Sequence, residues 1–176
     1  MKAARMGKAS GPTATAEGLL EQLLIAWRLN NKTNLILLRA IPQKGFAAVP
    51  LASRGRTVAA QFAHMHKVRW AWMRFNGENV RMIPTFGKGA QPSRAQLLRA
   101  FRASGTAVEN YVESRIRAAK RIKYFKGQPV RWLIYMIAHE SHHRGSILLA
   151  LKQNGMRLPD KVALTGVWLT WYWGKA

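Results

Sequence analysis

The stretch between Pro129 and Gly155 constrains this chain more than any other. Proline is favoured at the first position of a helix, and glycine after the last turn readily takes the left-handed conformation that ends one. Between these two signals lie the 26 residues 129–154, enough for a helix of about 39 Å. Unrolled at 3.6 residues per turn, Trp132, Met136, His139, His143, Ile147 and Ala150 form one stripe. Such a stripe points into the protein, so this helix needs partners of similar length to cover it.

Three further segments supply them. Residues 17–40 carry Leu20, Leu23, Leu24, Trp27, Leu35 and Leu38 at helical spacing. Residues 57–75 read as a second helix ended by Asn76-Gly77, and Ser93-x-x-Gln96 is a capping box opening a third over 93–120. The connections, 42–56 and 76–92, are rich in proline and glycine. No strand pattern or internal repeat is present. The expectation is an all-α protein, an antiparallel four-helix bundle with a short C-terminal extension dense in aromatics: Trp168, Trp171, Tyr172 and Trp173. Residues 1–16 read as a disordered basic tail and 17–176 as a single domain.

All five histidines fall in two clusters, His64/His66 and His139/His142/His143. Residues i and i+4 on a helix face the same way, so His139 and His143 can share one metal ion. His139 with His142 is the weaker alternative pair, because His142 lies about 100° around the helix from His143. A third ligand must come from elsewhere. His64 shares its side of the second helix with Gln61, Val68, Ala71 and Phe75, which reads as the inward stripe; His66 points roughly the opposite way. Metal ligands His64, His139 and His143 would leave one position of the ion open, as in a reactive site. Imidazole ligands accept nickel, copper and zinc alike.

His139-Glu140-x-x-His143 also matches the helix signature of zinc proteases. That chemistry needs a further ligand, usually downstream. After His143 the only carboxylate is Asp160, in a Pro159-Asp160 turn, so Glu140 is expected as a second-shell or solvent-facing carboxylate.

Twenty-nine Lys and Arg against seven Asp and Glu give a net charge of +22, which favours polyanion contact. The densest stretch holds Arg115, Arg117, Lys120, Arg121, Lys123, Lys126 and Arg131, with Tyr124 and Phe125 between them. Phosphates could pair with the charges and unpaired bases could stack on the rings. No motif that reads base edges is present, so such contact would be non-specific. No apolar run is long enough to span a bilayer, and residues 1–16 lack the hydrophobic core of a secretory signal. With no cysteine in the chain, the expected location is the cytoplasm.

The run His139-Glu140-Ser141-His142-His143-Arg144-Gly145-Ser146-Ile147, followed by Leu151 and Asn154-Gly155, resembles the last-helix signature of the DinB/YfiT-like family. Gln61-Phe62-Ala63-His64-Met65, followed by Val68-Arg69-Trp70, resembles the histidine segment of that family's second helix. The resemblance covers roughly residues 17–160. It implies a four-helix bundle, commonly dimeric, holding a divalent metal on His64, His139 and His143. It also implies metal-dependent transferases and an isomerase that use low-molecular-weight thiols such as glutathione, bacillithiol or mycothiol. Ser146 stands where many members carry glutamine, and the charge of +22 is unusual for the family.

Three functions follow as expectations. One is a metal-dependent transferase, carrying zinc or nickel and acting on a small-molecule substrate and a thiol as a homodimer. Another is a basic nucleic-acid-binding bundle with a structural or vestigial metal. A structural oligomer assembled through the tryptophan-rich tail is a third.

Overall fold

The computed structural model describes residues 15–52 and 54–173. Most of the tail expected over 1–16 lies outside the described residues, but Thr15 and Ala16 belong to the first helix. Thr15 accepts a hydrogen bond from the Gly18 amide and so caps α1, Ala16–Ala40. Thr57 caps α2, Val58–Phe75, in the same way. Ser93 and Gln96 form the reciprocal box that opens α3, Arg94–Arg117. Pro129 opens α4, Pro129–Gln153, and Gly155 ends it at φ +69°. α3 stops before Lys120, because Ala118 leaves helical geometry and Ala119 takes φ +50°. The extension is not irregular: a π-helical turn, Lys161–Gly166, leads into α5, Leu169–Trp173, and both pack on α1. The chain is all-helical with four long helices, and the described residues contain no strand.

Two apolar clusters show which way each helix runs. One holds Leu37 and Leu38 of α1 with Ile41 just after it, Phe62 and Met65 of α2, Leu97 and Phe101 of α3, and Ile147 and Leu151 of α4. The other holds Leu20, Leu24 and Trp27, then Met73, then Val108 and Val112, then Trp132, Leu133 and Met136. In chain order, α1 and α4 pass from the second cluster to the first, whereas α2 and α3 pass from the first to the second. The expected antiparallel alternation is therefore corrected: α2 and α3 run the same way. The 76–92 link makes this possible by travelling back along the protein, from Val80 and Ile83 in the second cluster to Phe86 against the first.

Between the clusters lies a polar layer. Asn30, Thr33 and Asn34 of α1, Arg69 of α2, Ser104 of α3, and Glu140 and Arg144 of α4 are all buried. Glu140 is fully buried, which corrects the solvent-facing alternative, and its partners are an arginine and two asparagines rather than the histidines. Its carboxylate accepts from Arg69 Nε at 2.6 Å and Nη2 at 2.8 Å, and from the side-chain amides of Asn30 and Asn34 at 2.7 Å each. Burial alone would raise this carboxyl; Arg69, Arg144 and Asn30 hold it below the usual range. Arg144 donates in turn to the oxygens of Asn30 and Asn34 at 2.8 Å. Gly105 lets α3 approach this layer. A Cβ there would sit 2.2 Å from Asn31 Nδ2, and Asn31 accepts a 2.8 Å bond from Arg69.

Candidate metal centre

At the level of the polar layer, the seam between α2 and α4 carries the three selected histidines. One ring nitrogen from each of His64, His139 and His143 lies within 4.8 Å of the others. Their ring centroids are 4.7–5.3 Å apart. Ligands about 2.1 Å from a tetrahedral ion are roughly 3.4 Å from one another, so small ring rotations close the remaining gap. His143 is buried, while His64 and His139 are half-buried, which leaves the cluster open on one side.

The protonation states suit an ion. Burial, then the charge of Arg56 and contributions from His139 and Lys67, pushes His64 down to about 4. Burial followed by its histidine neighbours and Arg56 takes His143 to about 4, and burial also lowers His139. All three rings are thus neutral near pH 7, the form that ligates. Gln61 orients one of them. Its amide nitrogen donates to the Arg56 carbonyl, so its oxygen faces His143 Nδ1 at 3.4 Å and leaves the Nε2 lone pair free. His139 Nδ1 is buried without a hydrogen-bond partner, and a buried polar atom of this kind calls for a ligand. The ring itself is stacked on Tyr135 at 5.8 Å. The residues present therefore fit a divalent ion.

His66 does not join them. It is buried, whereas Ala71 and Phe75 on the His64 side are exposed. The inward face of α2 is thus the one bearing Phe62, Met65, His66, Arg69 and Met73, which corrects the expectation that His64 lies on it. Sequence periodicity could not separate the two faces, because both carry large apolar groups. His66 donates from Nε2 to the Pro84 carbonyl and accepts at Nδ1 from Ser104, whose oxygen takes a 3.2 Å bond from Arg69. His142 is exposed, with its ring 5.4 Å from that of His143.

All seven acidic residues are paired with arginine. Arg117 holds Glu17 and Glu113, Arg28 holds Glu21 and Glu109, and Arg115 holds Glu78; Glu140 and Asp160 are held by Arg69 and Arg157. Among the described residues, no carboxylate is hydrogen-bonded or ion-paired to a histidine of the cluster. Of the basic stretch, Arg115 and Arg117 are occupied by these pairs, whereas Lys120, Arg121, Lys123, Lys126 and Arg131 are exposed around the α3–α4 turn. Phe125 packs on Trp72 with ring centroids 5.1 Å apart, whereas Tyr124 touches Trp72 at 5.9 Å and stays 68% exposed.

Four long helices with three convergent histidines on the α2–α4 seam define an all-helical protein with a candidate metal centre. The chain belongs to the DinB family, whose model matches residues 12–171. No curated protein matches it.

Proposed function

We propose that this protein binds a divalent metal through His64, His139 and His143 and transfers a group to a low-molecular-weight thiol. The supporting observation is the convergence of three neutral imidazoles, one with an orphaned nitrogen, on a seam open to solvent. In this reading the four helices form a bundle that pairs as a homodimer in the cytoplasm. No described helix is long and apolar enough to cross a membrane.

A zinc or nickel ion bound there would supply a lowered pKa for a thiol or water at the open position. The chain's own residues do the rest. Gln61 and Tyr135 fix the rings of His143 and His139. The thiol sulfur loses its proton, attacks an electrophilic carbon and forms an S–C bond, and the leaving group departs with the electron pair of the broken bond. In this reading His142, which is exposed with its ring 5.4 Å from that of His143, takes the proton on a ring nitrogen.

The test incubates metal-loaded protein with an electrophilic bimane and, separately, glutathione, bacillithiol or mycothiol, following thioether formation. A rate that needs protein, metal and His143 supports the proposal. Rates no higher than in protein-free buffer, for every thiol, refute the transferase.

The exposed cations around the α3–α4 turn favour a second reading, weak and non-specific nucleic-acid contact. Of these, Lys120, Arg121 and Arg131 line a cavity of about 630 Å³.

A further inference from the structure

The cavity beside His64 has a charge that the metal reading alone does not explain. It measures about 320 Å³ and lies between the first turns of α2 and the segment 86–90 of the link. Arg56, Lys67 and Lys88 line it, together with His64, Phe86 and small residues of both elements. Among the described residues none of the three cations has a carboxylate partner, and all seven acidic side chains of the chain are held by arginines elsewhere. Arg56 is close enough to the cluster that its charge opposes protonation of all three histidines.

Three neutral imidazoles also leave a bound ion with its full double charge. That charge would then face three more cations across one small cavity, a repulsion that weakens ion and cavity alike. An anion removes the conflict. Its negative groups would be attracted to the ion and to Arg56, Lys67 and Lys88 together. By linkage, each partner would raise the affinity of the other by the same factor. Neutral substrates would gain nothing from this arrangement. A second cavity of about 400 Å³, lined by Trp70 and Arg74 further along α2, shares Lys67 and Phe86 with it.

We infer that the cavity lined by Arg56, Lys67 and Lys88 is an anion subsite: the ligand that reaches the three histidines is a small-molecule polyanion, and it binds cooperatively with the metal. This rests on the proposed metal centre and specifies the chemical class that the centre accepts.

Cobalt(II) serves as the probe metal, with mercaptosuccinate and 2-mercaptoethanol as an anionic and a neutral thiol. Titration is followed by the thiolate-to-cobalt absorption of the wild-type protein and of Arg56→Ala/Lys88→Ala. Mercaptosuccinate is expected to bind at least about tenfold more tightly than 2-mercaptoethanol at low salt, a gap that narrows in about 0.5 M chloride. In the double variant the two thiols should bind alike, while cobalt alone binds no more weakly than to wild type. Equal binding of both thiols by wild type overturns the inference, as does a preference that survives in the variant.

A wild-type protein that takes up no cobalt refutes the metal centre and is distinguishable from either result. The anion subsite is then decided on metal-free protein by titrating citrate against the His64 ring resonances. Saturable shifts that vanish in the double variant support the subsite, and their absence overturns it.

Discussion

Replacing Glu140 by alanine should destabilise the protein by about 3–5 kcal/mol, the cost of breaking a buried ion pair from one side. The structure places the effect high in that range. Glu140 is fully buried and accepts four hydrogen bonds, two from Arg69 and one each from Asn30 and Asn34. Without it, Arg69 and Arg144 are two buried cations with no carboxylate between them. Arg69 keeps only its bonds to Asn31, Ser104 and the Phe101 carbonyl, and its place between the rings of Trp27 and Phe101. Urea unfolding followed by far-ultraviolet circular dichroism, with chelator present to remove any metal contribution, measures the loss. A chain of this size should show a melting temperature lower by about 6–20 °C. Arg69→Met keeps the apolar stem and removes the charge, so the double variant should lose at least about 2 kcal/mol less than the sum of the two singles. A loss below about 1 kcal/mol, or strict additivity, would refute the buried pair as the centre of the polar layer.

Gly105→Ala should destabilise by about 1 kcal/mol, because the displaced Asn31 amide loses its charged bond to Arg69, worth about 1.5–3 kcal/mol, against about 1 kcal/mol of helix propensity gained; equal or higher stability in urea would contradict the close approach. Acid should act through the histidines: below pH 6.5 the unfolded chain takes up protons that the folded one refuses until about 4. Stability present at pH 7 is therefore lost as the pH falls through that window, with buried His66 alone contributing roughly 3 kcal/mol, and urea midpoints at pH 7, 6 and 5 follow it. The same depressed values predict that cobalt uptake persists well below pH 6.5, whereas a midpoint near 6.5 would mean that the rings are not shielded. Lys120→Glu/Arg131→Glu should weaken binding to single-stranded DNA and flatten its salt dependence while leaving metal content unchanged; sequence-selective, salt-resistant binding would contradict a non-specific contact.

Helix boundaries were legible in the sequence wherever a side chain or a proline fixes them. Thr57, Ser93-x-x-Gln96, Pro129 and Gly155 each mark an end that the structure keeps. The end of α3 was not, because Ala119 takes a positive φ with no glycine to announce it. The i,i+4 histidine pair was legible for the same reason as the caps, being local geometry on one helix. Glu140 was read by its motif, but its surroundings come from three other helices and no local pattern reports them. Asn30 and Asn34 sit among leucines at helical spacing and look like interruptions; they are the acceptors and donors that let Glu140 and Arg144 be buried. Helix direction also escaped the sequence, since it depends on the link over 76–92 running back along the protein. Periodicity puts His64 on the inward face of α2, but the buried face is that of Phe62, Met65, His66, Arg69 and Met73. His64 still meets His139 and His143, because the site lies on the seam between α2 and α4 rather than in the centre.

The most direct test of the metal centre is elemental analysis of protein purified without a metal-affinity tag, for wild type, His143→Ala and His142→Ala. The three-histidine account predicts close to one divalent ion per chain in wild type and in His142→Ala, and little or none in His143→Ala. A metal-free wild type that also fails to take up zinc, nickel or cobalt on dialysis would contradict it, and so would a His143→Ala protein that keeps its ion.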